Sequence, residues 1–124
     1  LDDEESIGDL LKEMLNMLGY DTAVFSRGQD ALAAIEQREF DVVLSDYRMP
    51  GMDGKTFYKK AAECRPELAH RFVFLTGDTV NDETLSFVNE VGAHCIGKPF
   101  HLHTVEQVVN RAKAGEPATE PFAN

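Results

Sequence analysis

The sequence has no tryptophan, only two cysteines, and no apolar stretch near the ~20 residues that a membrane-spanning helix needs. No secretory signal pattern is visible. Cys64 and Cys95 stand far apart and form no CxxC motif, so nothing points to zinc; they read as two thiols in a reducing cytoplasm. Positive charge is also scarce. Lys and Arg number 12 against 22 Asp and Glu, a net charge of −10. A general nucleic-acid binder needs a basic surface to meet phosphates, and an anionic membrane surface asks for the same, so both are set aside. A phosphorylated substrate stays compatible, because a metal ion can mask local repulsion.

What is present suits one globular domain over residues 1–114, with a flexible tail at 115–124 (GEPATEPFAN). Ile7, Leu10, Leu11, Met14, Leu15 and Leu18 recur at helical spacing, and Gly19 is a natural stop. Asp21 to Phe25 reads as a short strand. Ser26 to Gln29 resembles a capping box for a helix with Ala31, Leu32 and Ile35 inward. Phe40 to Ser45 reads as a buried strand with Asp46 at its carboxyl end, followed by a loop, YRMPGMDG. Lys55 to Cys64 is a further helix, ended at Pro66. A strand is expected over Arg71 to Thr76 and a helix over Asp82 to Val91, with Leu85, Val88 and Val91 inward. His94 to Gly97 is the next strand, and Leu102 to Ala112 the last helix. Such alternation predicts an α/β fold around a parallel sheet. The chain opens on Leu1, with no Met, and runs straight into Asp2-Asp3-Glu4-Glu5. A further strand is therefore expected before the first helix, of which Leu1 alone remains.

In open parallel sheets ligands bind outside the carboxyl ends of the strands. The residues there are Asp2 and Asp3, Asp46, Thr76 and Lys98. Three crowded carboxylates repel unless a cation intervenes, and a hard oxygen-seeking ion such as Mg²⁺ suits them. Lys98 adds positive charge and Thr76 a hydroxyl. The same parts serve phosphoryl transfer, in which a carboxylate attacks phosphorus and metal, ammonium and hydroxyl spread the charge.

The stretches LDDE, LSDYRMPGMDG, FLTGD and GKPF, in this order and spacing, resemble the response-regulator receiver family over about residues 1–113. The resemblance implies a flavodoxin-like (βα)5 doubly wound parallel sheet of order 2-1-3-4-5, its first strand largely absent from this chain. It implies Asp46 as phosphoacceptor. Mg²⁺ would be held directly by Asp3, by Asp2 through water or in support, by Asp46 and by the backbone carbonyl of Arg48. Thr76 would contact the phosphoryl group and move when it arrives, with Gly77 leaving the site open beside it. Lys98 would pair with Asp46 and then with phosphoryl oxygens. Pro50, Gly54 and Pro99 would shape the loops, with a cis bond before Pro99 and Gly54 in a left-handed conformation. A histidine kinase or histidine phosphotransfer protein would be the phosphodonor in the cytoplasm. The output partner stays unknown and a homodimer open. No direct nucleic-acid or membrane contact is expected of this domain. It would be no enzyme beyond adding and losing its own phosphoryl group, although its parent chain could be a hybrid histidine kinase.

The sequence departs from the family where a switch aromatic usually stands three residues before the lysine, because Cys95 occupies that position. Arg48 and Asp78 flank the site and would tune hydrolysis. A pseudo-receiver that binds without phosphorylation is one rival, disfavoured by the presence of Asp3, Asp46, Thr76 and Lys98. A phosphatase resembling the haloacid dehalogenases is another, but the acid it needs two residues after Asp46 is Arg48. A flavodoxin-like cofactor binder would need a phosphate-cradling loop where this chain is acidic. The GMDGKT stretch has the wrong spacing for a P-loop. His101 and His103 read as a surface pair.

Overall fold

The computed structural model describes residues 1–49, 51–77, 82–98 and 100–115, and within these not the side chains of Asp82 and Leu85. The elements run α1 (Glu5–Met17), α2 (Gly28–Gln37), β1 (Val43–Asp46), α3 (Gly54–Cys64), a 3₁₀ turn (Pro66–His70), β2 (Phe72–Thr76), α4 (Asp82–Val91), β3 (His94–Gly97) and α5 (Leu102–Lys113). The three strands form one parallel sheet in the order β1-β2-β3, with Asp46 opposite Leu75 and Thr76 opposite Gly97. Among the described residues no helix is long and apolar enough to cross a membrane.

Alternation along the strands sorts the core into two layers, because successive side chains point to opposite faces. Phe72, Phe74 and Cys95 pack on one face with Ala31, Ile35, Phe57, Tyr58, Phe87 and Val88. Val73, Leu75 and Ile96 pack on the other with Leu11, Leu15, Val105, Val108 and Val109. Every side chain of β2 is buried, as a central parallel strand requires. On the first face Tyr58 meets Phe72 edge-on at 4.9 Å, and the Phe87 ring of α4 stands against Tyr47, Tyr58 and Phe74 at 5.7–6.1 Å.

Several expectations are corrected. Asp21–Phe25 is not a strand. A strand needs a hydrogen-bonded ladder, and here a single backbone bond, Asp2 N–H to the Phe25 carbonyl (3.1 Å), ties the segment toward the sheet. Leu1 does pair with β1, donating to the Leu44 carbonyl (2.6 Å) and accepting from Asp46 N–H (2.8 Å). Beyond it a groove of about 200 Å³, lined by Ala23, Val24, Val42 and Leu44, separates Asp21–Phe25 from β1. The Thr22 hydroxyl is buried there without a partner. The capping box also fails. α2 starts one residue later than expected, with Arg27 as the cap residue and no side-chain cap bond; Gln29 accepts from Arg27 Nη2 instead (3.2 Å). Leu10, expected on the inner face of α1, is 40% exposed, and Leu11 and Leu15 carry the burial. The expected inward side chain of Leu85 lies outside the described residues.

Gly54 is not left-handed; among the nearby glycines Gly51 takes that conformation (φ 83°). The requirement at Gly54 is space. It opens α3, donates to the Tyr47 carbonyl (2.7 Å), and a Cβ there would lie 2.7 Å from Tyr47 Cα. Gly54→Ala must push backbone against backbone directly behind Asp46, and should cost roughly 1–3 kcal/mol by urea denaturation. Gly77→Ala, whose Cβ would meet nothing within 4 Å, should stay within about 0.5 kcal/mol of wild type in the same assay.

Candidate functional site

The carboxyl ends of β1, β2 and β3 and the turn before α1 deliver their polar residues to one place. Asp2 follows the single residue that pairs with β1, and its side chain is buried. Its carboxylate accepts from Glu4 N–H (2.9 Å), which tightens the turn into α1. Asp46 closes β1 and is 7% exposed. Asp3 is exposed. One oxygen from each of the three carboxylates lies within 4.8 Å of the others. Lys98, one residue past β3, reaches back so that Nζ stands 3.2 Å from Asp2 Oδ2 and 3.2 Å from Asp46 Oδ2. Its backbone N–H is fixed by the Thr76 carbonyl (2.8 Å), which ties the lysine to the end of β2.

The electrostatics are those of buried like charges held by one cation. Burial raises the Asp46 pKa. Lys98 opposes that rise, the nearby Asp2 charge adds to it, and the Lys98 and Arg48 N–H hydrogen bonds lower it, with a net upward shift. Burial works against a charged Lys98, but the attraction of Asp46 and then Asp2 outweighs it, and its pKa is raised. The ammonium therefore stays charged across the physiological range.

Asp2, Asp3, Asp46 and Lys98 thus come together as expected. Arg48 follows in the loop with its N–H on the Asp46 carboxylate, and its side chain is exposed. Gly77 is exposed just past β2. Pro50, Asp78 and Pro99, with the expected cis bond, lie outside the described residues. Thr76 is buried, but its hydroxyl oxygen accepts from the Cys95 thiol (3.8 Å) and makes no described bond to Asp46 or Lys98. The sequence marked both residues without pairing them. Their adjacency depends on the β2–β3 register, which sets Phe74 opposite Cys95. Tyr47 was also passed over: it bonds the Leu75 carbonyl through its N–H (3.1 Å) and packs edge-on against Phe74 at 5.4 Å. His101 and His103 are exposed and join no metal-ligand group among the described residues.

The donor set fits a small hard cation. Ligand oxygens about 2.1 Å from Mg²⁺ stand ~3.0–4.2 Å apart in an octahedron, which the three carboxylates approach with small adjustment. Without metal the ionised Asp46 is a cost, since its folded pKa is raised. That cost is full above the folded pKa and vanishes as pH falls below the unfolded value. Asp46→Asn should therefore be more stable than wild type in chelator at neutral pH, with the gap closing toward acid; equal urea midpoints throughout would contradict these electrostatics.

Over residues 1–110 the chain matches the response regulator receiver domain family. It is 32% identical over 112 residues to the DNA-binding transcriptional regulator NtrC of Salmonella typhimurium, covering 90% of this chain and 24% of NtrC. The chain therefore spans about a quarter of that relative's length. The receiver domain of NtrX from Brucella abortus superposes with a TM-score of 0.82 at 32% identity, over 91% of this chain and 94% of that one. The signal receiver domain of a signal transduction histidine kinase from Syntrophus aciditrophicus gives 0.79 at 26% identity, over 97% and 91%. The parallel sheet flanked by five helices agrees with these neighbours as a flavodoxin-like fold. On sequence, fold and the acidic cluster together, the chain belongs to the response regulator receiver domain family of two-component signalling.

Proposed function

We propose that Asp46 accepts a phosphoryl group from a phosphohistidine on a partner kinase or phosphotransfer protein. The observation that carries this is Lys98, bridging the buried Asp2 and Asp46 carboxylates at the strand ends. An Asp46 oxygen attacks phosphorus as the phosphorus–nitrogen bond breaks. The electron pair passes to the imidazole, which takes a proton, and Asp46 becomes an acyl phosphate. Lys98 orients the carboxylate beforehand, and its ammonium lies within reach of the oxygens that gain charge. Asp2, Asp3, Asp46 and the Arg48 carbonyl would hold Mg²⁺. When bound, the ion supplies charge neutralisation among these carboxylates and the incoming phosphoryl oxygens.

Gly77, exposed beside Thr76, supports entry of a partner's side chain. The domain acts by contact, adding and losing its own phosphoryl group but turning over no other substrate. We place it in the cytoplasm, as one domain over 1–114. With a net charge of −10 it makes no nucleic-acid contact of its own; the DNA-binding named for NtrC is a property of that longer protein. The likeness to a histidine kinase's receiver supports a hybrid kinase as the parent chain.

The test is intact mass after incubation with a small acyl phosphate. Wild type should gain one phosphoryl group only with Mg²⁺, and Asp46→Asn none. An Asp46→Asn protein that gains the group as wild type does would sink the assignment. Mg²⁺ at 100 times its Kd should also stabilise wild type by about 2.7 kcal/mol, and the effect should largely disappear in Asp3→Asn.

A further inference from the structure

Thr76 ends β2 in register with the face that carries Phe72 and Phe74, whereas Asp46 and Lys98 follow the alternation of Leu44 and Ile96 on the opposite face. The threonine hydroxyl is engaged on its own face, where the buried Cys95 thiol donates to it at 3.8 Å. Burial raises the thiol pKa to about 11, so Cys95 stays protonated and remains a donor at neutral pH. A β-branched side chain has few staggered positions, so Thr76 exchanges between discrete rotamers rather than drifting. β2 lies between β1, which carries Asp46, and β3, which carries Cys95, so a hydroxyl held by Cys95 is turned to the side of the strand away from Asp46.

We propose that Cys95 is a positioning residue for Thr76, holding the hydroxyl in a resting rotamer turned away from Asp46 until a phosphoryl group there draws it off. The inference rests on the phosphoacceptor reading above. Cys95 shares its layer with Phe87 and Val88 of α4 and with Ala93 just before β3. Release of the contact is therefore felt where α4 meets the sheet. The thiol favours the resting state and opposes loading by the strength of one weak hydrogen bond.

The test titrates beryllium fluoride, an acyl phosphate mimic, into the Mg²⁺-loaded protein, with affinity read from amide shifts in NMR spectra. Cys95→Ala should bind the mimic roughly two- to fivefold more tightly, as expected from release of one weak hydrogen bond. Cys95→Ser, a stronger donor of similar size, should bind it more weakly than wild type. In a Thr76→Val background both effects should vanish, because the hydroxyl they act through is gone. Packing damage alone would persist in that background and would not reverse sign between alanine and serine. Unchanged or weaker binding by Cys95→Ala, or the same change in Thr76→Val, overturns the proposal while leaving Asp46 as acceptor. Failure of wild type to bind the mimic at all defeats the phosphoacceptor reading and this inference with it.

Discussion

The ammonium of Lys98 between two buried carboxylates is the contact around which the rest of the site is arranged. Asp2 and Asp46 share one oxygen-lined space, and each is almost wholly removed from water. Two such charges repel at short range and lose their hydration, a combination that proteins tolerate only with a counter-charge. Lys98 meets both at 3.2 Å. The lysine therefore has to be aimed, and that is done by its backbone bond to the Thr76 carbonyl at the end of β2. Burial of this kind suits chemistry better than stability, since charges kept dry act strongly on whatever enters the space.

The remaining architecture serves that convergence. Parallel pairing sets the carboxyl ends of β1, β2 and β3 side by side, so residues distant in the chain arrive together without long loops. Gly54 lets α3 start directly behind Asp46, against the Tyr47 backbone. Tyr47, next to Asp46, in turn packs on Phe74 and on Phe87 of α4. The site and the aromatic layer beneath it are thus consecutive residues of one strand end, facing opposite sides of the sheet.

Much of this was legible in the sequence. Asp46 and Lys98 could be picked out because each follows a run of strand-forming residues, and Asp2 and Asp3 because the alternation of elements calls for a strand before them; strand ends gather ligands. The helices α1, α2, α4 and α5 were visible from their inward apolar side chains, and α3 as the stretch between its loop and Pro66. What was not legible depends on through-space partners. Asp21–Phe25 has strand composition, but among the described residues no backbone apart from Asp2 lies beside it to pair with, and strand assignment needs that partner. Gly54 looked like a left-handed turn residue when its constraint is the approach of Tyr47. The capping pattern at Ser26 matched a motif, yet α2 begins at Gly28. The Thr76–Cys95 bond and the clustering on Phe87 follow from register and helix placement, which periodicity does not encode.

The most direct measurement is to locate the phosphoryl group itself. After reaction with a small acyl phosphate and Mg²⁺, borohydride reduction converts an aspartyl phosphate to homoserine, which tandem mass spectrometry can place in the chain. The account requires homoserine at position 46 and nowhere else. Homoserine at Asp2 or Asp3, or at no aspartate in a protein that has taken up phosphate, would contradict it.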